Sequence, residues 1–344
     1  MFVSIVMPVR NEEKYIGGVL DSVVVNDFPR NMLEILVVDG MSDDRTIEIA
    51  SDYAKRYPFV RVIENRRKNA AAAMNIGIEA SSGDVVIRLD AHAIYPRDYI
   101  SKLVKALDEL NADNVGACVE TLPADDSSKA RSIAMIMSHP FGVGNSAFRT
   151  ASPAMKPFKV DTVPFGCYRR DVFSRVGGFD EDLIRNQDNE FNERLSKAGG
   201  SIYLLPSLRV GYYARESFVK LWRMFYQYGY FGPLVDIKLQ QRTQLRRYVP
   251  LIFVLSMVFP LVLSVFGPAW IWLSLCSLGA YSLCAVFFSL RLGSKARDWR
   301  VGLYSFVAFG CAHISYGVGH LMGVWDFFVR RKHLSGAVQV ELSR

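Results

Sequence analysis

Asp90 and His92 stand two residues apart at the end of a short apolar run, Val85 to Leu89. In an extended backbone, residues two apart point to the same side. A carboxylate and an imidazole placed together can ligate a divalent cation, and a cation so held can hold a diphosphate. In open α/β sheets, ligands bind at the carboxyl ends of strands. A local account competes: Asp90 caps a turn and His92 is incidental. Other polar groups follow other apolar runs, with Pro8, Arg10 and Glu12 after the first and Asp39 after the second. Acids converging at successive strand ends could hydrogen-bond a base and ribose and ligate a metal; separately, each is a local cap. Asp188 falls at the start of a later helical pattern, where a local account, an N-cap with Asn189 and Glu190 in the first turn, competes evenly with a chemical one.

These residues need a scaffold, and the hydrophobic pattern supplies one. Val3 to Val9 is nearly continuous and apolar, as expected of a parallel strand covered on both faces, and Pro8 is expected to end it. Asn11 is the expected N-cap of a helix to about Val25, with Glu12 and Glu13 in its first turn. Glu34 to Val38 is a second strand, Ser42 to about Tyr57 a helix, Val60 to Ile63 a third strand and Ala70 to Ala80 an alanine-rich helix. The run before Asp90 is the fourth strand. A helix over Pro96 to Leu110 and a strand over Val115 to Thr121 follow. The alternation means βαβ units in an α/β fold with a mostly parallel, Rossmann-like, doubly wound sheet. No G-x-G-x-x-G and no Walker sequence is present, so the usual dinucleotide and P-loop cradles are unsupported.

The 344 residues are half hydrophobic, and mean hydropathy is +0.13. The excess lies toward the C-terminus. Tyr248 to Phe266 and Ala269 to Leu290 are apolar and uncharged, each with roughly the twenty residues a bilayer span needs. Gly267-Pro268 between them implies a helical hairpin, and basic residues flank it on both sides, which places both flanks in the cytoplasm. A third run, 301–325, is either a span or a re-entrant element, because a span would put the basic Arg330-Arg331-Lys332 outside. Its His313 and His320 are read as tolerated near the interface. Phe218, Leu221, Trp222, Phe225 and Tyr226 form one stripe with basic residues off it, the pattern of an interfacial amphipathic helix over 215–232. The five cysteines are scattered, without Cys-x-x-Cys spacing, which fits a reducing compartment. The start, Met1 to Ile5, reads as a strand, so no cleaved leader is expected there. The net charge of +7 gathers beside the apolar runs, so lipid rather than nucleic acid is the expected partner.

In order, Val6-Met7-Pro8-Val9-Arg10-Asn11-Glu12, Val37-Val38-Asp39-Gly40, Asp90-Ala91-His92 and Gln187-Asp188-Asn189-Glu190 resemble the inverting family 2 glycosyltransferases of GT-A fold. The likeness covers about residues 2–232. Within the family, the Asp-Ala-His form, the Asn-Gln-Asp-Asn-Glu-Phe segment and the membrane tail are similar to the ExoA-type enzymes of succinoglycan and related exopolysaccharide assembly. The resemblance implies that Pro8, Arg10 and Glu12 lie beside the nucleotide and that Asp39 hydrogen-bonds uracil. It sets Arg66, Arg67, Lys68 and Asn69 near the nucleotide or diphosphate, and Gly166 and Cys167 in a loop lining the acceptor site. Asp90 opens the metal motif, with His92 in place of its second acid. Asp188 matches the catalytic base, and Gln187 replaces the Glu that usually precedes it. The implied cofactors are a UDP-sugar donor and Mn²⁺ or Mg²⁺, with the imidazole favouring Mn²⁺. The processive synthases' Gln-x-x-Arg-Trp is not matched: Gln227-Tyr228-Gly229-Tyr230-Phe231 lacks the Arg-Trp pair, and Gln244-Leu245-Arg246-Arg247-Tyr248 is a later partial lookalike.

The expectation is therefore a catalytic domain over 1–235 and a membrane region over 236–344, with helices at about 249–266, 269–290 and 301–325. It would add a single hexose, glucose from UDP-glucose, in β-linkage to a polyprenyl-diphosphate-linked oligosaccharide. The site would face the cytoplasm at a bacterial inner membrane, with membrane lipids and other polysaccharide-assembly proteins as further candidate partners. The rivals are a polyprenyl-phosphate sugar transferase and a catalytically inactive glycosyltransferase-like scaffold.

Overall fold

A computed structural model describes residues 1–240 and 245–334. Residues 241–244, in the basic stretch and including the first residue of the Gln244 lookalike, lie outside the described residues, as does the tail from 335. The chain forms two compact units, one of residues 1–120 and 147–212 and one of 121–146 and 213–344. The expected boundary at 235 is thus displaced. The helix expected at 215–232 belongs to the second unit, together with a segment from the middle of the chain.

The first unit is built on a nine-stranded sheet. Its strands are β1 (Val3–Val9), β2 (Leu33–Asp39), β3 (Val60–Glu64), β4 (Val85–Arg88), β5 (Ala93–Ile94), β6 (Asn114–Leu122), β7 (Phe158–Lys159), β8 (Cys167–Arg169) and β9 (Ile202–Tyr213). The order is β3-β2-β1-β4-β8-β6-β9-β5, with β7 on β9. β1 to β4 pair in parallel, and β8 joins β4 antiparallel. The crossovers are α1 (Ile16–Val24), α2 (Thr46–Arg56) and α3 (Ala70–Ala80), followed by α4 (Tyr99–Glu109). The continuous apolar runs have a direct cause. Ile5, Met7, Ile35, Val37, Val85 and Ile87 fill the core on one face of the sheet, while Val6, Leu36, Val38 and Val86 fill the core on the other. Gly77 of α3 lies on β1 so closely that a Cβ there would sit 2.3 Å from a Val6 methyl.

Three local expectations change. Pro8 does not end β1; it stays in the strand opposite Val38. β4 pairs with β1 only as far as Val6, so the missing N–H falls where that neighbour has ended. Asn11 does not cap α1, which begins at Ile16 with no side-chain cap and no acid in its first turn. Asn11 is left-handed (φ 54°); its N–H donates to Ser42 Oγ at 2.9 Å, and its Oδ1 accepts from Asp43 N at 3.1 Å. It joins the first loop to the second, so the helix starts one turn later. Likewise α2 begins at Thr46, because Ser42 is engaged by Asp39.

The second unit is helical: α5 (Ser128–Ile136) and the one-turn α6 (Pro140–Val143) join α10 (Phe218–Lys238), α11 (Val249–Leu263), α12 (Ala269–Ala296) and α13 (Trp299–Val324). The one-turn α7 (Ala147–Thr150), then α8 (Asp171–Val176) and α9 (Gln187–Lys197), lie in the first unit. α11 has 15 residues, short of the expected span. α12 and the continuous helix Trp299–Val329 are long and apolar enough to cross a membrane. The third run is one unbroken helix.

α10 is covered further along its length than the predicted stripe reaches. Leu221 and Phe225 of that stripe are buried, as is Met224, and so is every residue from Gly229 to Asp236. The cause is a glycine contact with α13. A Cβ on Gly229 would lie 2.1 Å from Tyr316 O, and Cβ atoms on Gly319 and Gly323 would lie 2.2 Å from Tyr226 O and Tyr230 O. Small residues let the two backbones touch.

Candidate active site

The parallel strands end on one edge of the first unit, and the loops leaving them hold unusual backbone. Asn11, Met41 and Lys68, after β1, β2 and β3, all have positive φ, as do Phe165 before β8 and Asn186 before α9. Non-glycine residues seldom adopt this conformation, and where they do they cluster at functional sites.

His92 is placed by two contacts. Its Nδ1 lies 2.9 Å from Glu12 Oε1, and its Nε2 lies 3.1 Å from the Tyr212 hydroxyl. Glu12 is buried and its N–H donates to Thr46 Oγ1 at 2.7 Å. With Nδ1–H donating to Glu12, Nε2 accepts from the Tyr212 hydroxyl; a metal ligand requires the same tautomer with that hydroxyl turned away. Asp90 is placed by Tyr95, whose hydroxyl accepts from Asp90 N at 2.8 Å. Asp90 Oδ2 lies 3.9 Å from His92 Nε2. Two ligand atoms each about 2.1 Å from one cation lie about 3.0 Å apart when they are neighbours in octahedral geometry, so Asp90 and His92 would have to close by about 1 Å to share one. No group of three His, Cys, Asp or Glu among the described residues is arranged to hold a metal. The remaining ligands would come from water and a diphosphate, as suits Mg²⁺ or Mn²⁺.

Asp188 is not an N-cap. Asn186 takes that position in the left-handed conformation, and α9 begins at Gln187. The Asp188 carboxylate turns instead to Arg88 at the end of β4, whose Nη1 donates to its Oδ1 at 2.5 Å. Arg88 Nε donates to Asp90 Oδ1 at 3.0 Å. Burial disfavours the Arg88 charge, but Asp188 and Asp90 more than offset this and hold it cationic. Burial raises the Asp188 carboxyl above its usual range; Arg88 opposes that rise and Asp90 adds to it. Arg88 was not anticipated from the motifs. Its signal was visible all the same: a single charge inside the buried strand Val85–Arg88.

The other expected residues are placed less openly. Asp39 is buried, and its two oxygens accept from Ser42 N (3.0 Å) and Ser42 Oγ (2.5 Å). Ser42 Oγ also accepts from Asn11 N, which links Asp39 to the loop that carries Arg10 and Glu12. Arg67 pairs with Glu181, Lys68 is exposed, and Asn69 caps α3 by accepting from Ala72 N at 2.7 Å. Gly166 O accepts from Arg88 N at 3.0 Å, and a Cβ on Gly166 would strike the Tyr168 ring at 2.4 Å. Cys167 is in β8 rather than a loop. It is fully buried, and burial pushes its thiol well up.

Comparison with known proteins bears on the family and the fold. The Glycosyl transferase family 2 profile matches residues 4–177, just over half the chain. A protein of Methanococcus voltae named dolichyl N-acetyl-alpha-D-glucosaminyl phosphate 3-beta-D-2,3-diacetamido-2,3-dideoxy-beta-D-glucuronosyltransferase is 30% identical over 66% of this chain and 72% of its own. Succinoglycan biosynthesis protein ExoA of Rhizobium meliloti is 28% identical over 94% of this chain and 95% of its own. In fold, the chain is similar to the mannosyltransferase PcManGT of Pyrobaculum calidifontis, solved with GDP-Man and Mn²⁺ (TM-score 0.57, 21% identity, 94% of this chain and 87% of that one).

Proposed function

Because this chain belongs to glycosyl transferase family 2, we propose that it is an inverting transferase attached to a membrane and adding a single hexose to a lipid-linked acceptor. The donor is a nucleotide sugar, UDP-glucose in the narrowest form of the proposal. The acceptor is a polyprenyl-diphosphate-linked oligosaccharide, and the product linkage is β. The setting is exopolysaccharide assembly at the cytoplasmic face of a bacterial inner membrane. The observation that carries the catalytic part is the joining of Asp90, Arg88 and Asp188 in one hydrogen-bonded line beside His92. The likeness to ExoA along nearly the whole chain supports the pathway, and the dolichyl-phosphate relative supports a lipid-linked acceptor. Two helices of spanning length support the membrane.

In this reading Asp188 accepts the proton of the acceptor hydroxyl as that oxygen attacks the anomeric carbon. The bond from that carbon to the diphosphate breaks on the opposite face, so the configuration inverts. Asp90 and His92 would hold a divalent cation, which when bound would offset charge on the departing diphosphate. Glu12 orients His92. Asp39, Pro8 and Arg10 flank the nucleotide, with Lys68 and Asn69 beside its diphosphate.

The test uses membranes carrying the full chain, radiolabelled UDP-sugars and extracted lipid-linked oligosaccharides, with and without Mn²⁺. UDP-glucose should label a lipid diphosphate, and Asp188→Asn should abolish labelling. Labelling of a lipid monophosphate would favour the polyprenyl-phosphate transferase instead. Undiminished transfer by Asp188→Asn would remove Asp188 as the base. No transfer from any donor would favour the inactive scaffold.

A further inference from the structure

Arg88 is the least expected charge in the first unit. It is the last residue of a strand otherwise buried and apolar, and its side chain is 8% exposed. Its two side-chain contacts divide between carboxylates with separate proposed tasks, Asp90 at 3.0 Å and Asp188 at 2.5 Å. On Asp90 the two oxygens face different partners. Oδ1 accepts from Arg88, while Oδ2 is the oxygen turned toward His92 Nε2. A cation shared by Oδ2 and Nε2 would therefore sit across one carboxylate from a fixed guanidinium.

We propose that Arg88 makes cation binding conditional on the donor diphosphate, a proposal that rests on Asp90 and His92 forming the cation site. With no nucleotide present, Arg88 neutralises much of the Asp90 charge and repels a second cation across a short, poorly solvated gap. The anionic diphosphate supplies the charge that Arg88 has offset, so nucleotide and metal load together. By linkage each strengthens the other to the same degree. Arg88 also keeps the base from competing for the metal, because Asp188 is already satisfied by the guanidinium. It is a positioning residue and need not touch substrate.

The measurement is Mn²⁺ binding by electron paramagnetic resonance on the purified full chain in detergent, with and without UDP. UDP should tighten Mn²⁺ binding by at least about tenfold in the unaltered protein. Arg88→Gln, which keeps donors and removes charge, should tighten nucleotide-free binding by at least about fivefold and shrink the effect of UDP. Arg88→Lys should leave nucleotide-free binding within about threefold. If Arg88→Gln melts cooperatively but binds nucleotide-free Mn²⁺ no tighter, the gate is wrong and the cation site stands. If the unaltered protein binds Mn²⁺ equally well with and without UDP, the gate is wrong whether or not any variant folds. If it binds no Mn²⁺ even with UDP, the cation site itself is wrong and the gate goes with it.

Discussion

Arg88 Nη1 meets Asp188 Oδ1 at 2.5 Å, although the two residues are 100 positions apart. Through the same guanidinium, Asp188 is joined to Asp90. The group proposed as base and the group proposed to hold the metal thus share one counter-charge. A change at either carboxylate is therefore expected to be felt at the other.

Asp188 carries a testable pH dependence. Burial raises its carboxyl above the ordinary value of 3.8, with Asp90 acting in the same direction and Arg88 against it. A base works deprotonated, so kcat/KM should fall as pH drops through the raised value, at a higher pH than for an ordinary aspartate. For stability the sign is opposite: a raised acid favours the folded state at low pH, and that contribution is lost as pH rises through the folded value. Asp188→Asn should lower kcat/KM by about 10²–10⁴-fold. A pH–rate profile of sugar transfer, with the variant measured in parallel, checks both.

Removing the imidazole isolates the metal. His92→Ala should raise the Mn²⁺ concentration for half-maximal transfer by about 10–100-fold, the usual consequence of disturbing a ligand or its support. Glu12→Gln should act in the same direction with a smaller effect, because Glu12 bears on the cation through His92. Titrating Mn²⁺ and Mg²⁺ against transfer in each variant gives the comparison. An unchanged requirement in His92→Ala would remove the residue from the metal site.

Glu34 offers a stability test away from the chemistry. Burial would raise its carboxyl, but donation from Ser4 Oγ, Ser82 N and Ser82 Oγ, with Arg61 nearby, lowers it below the ordinary 4.5. Glu34 thereby ties the start of β2 to β1 and to the turn before β4. A depressed acid contributes stability above its unfolded value and loses it as pH falls through its folded value. Glu34→Ala should cost about 2 kcal/mol, the scale of hydrogen bonds to a charged group. Thermal melts at pH 7 and near pH 4 should show the difference between the proteins narrowing at the lower pH.

The crossing of α10 and α13 should not tolerate a side chain. A Cβ on Gly319 would sit 2.2 Å from Tyr226 O, which is backbone and cannot step aside cheaply. Gly319→Val should destabilise the helical unit by about 1–3 kcal/mol, in the range of overpacked cores. Gly310→Val, on the same helix where a Cβ meets nothing within 4 Å, is the control. Melting of both variants in detergent separates a packing effect from one of propensity.

Much of this molecule follows from its sequence alone. The apolar runs of β1, β2 and β4 fix the parallel strands, because alternate residues fill two cores and leave no polar face. The order of acids at strand ends marks the candidate site, since parallel strands deliver their carboxyl ends to one edge. The length and composition of α12 and α13 mark the candidate membrane helices.

The tertiary structure alone decides which residues a side chain at a strand end or helix start is turned toward. Asn11 and Asp188 both look like caps, because a cap needs only its own neighbours. Partners distant in sequence take both: Asn11 joins Ser42 and Asp43 in the next loop, and Asp188 takes Arg88. The unit boundary follows the same rule. The residues of α10 look amphipathic over one stretch, but Gly319 and Gly323 of α13 lie against Tyr226 and Tyr230 and bury its second half. Periodicity in sequence reports how much of an element is covered. What covers it is settled by backbone approach and buried charge, which act between residues far apart in the chain.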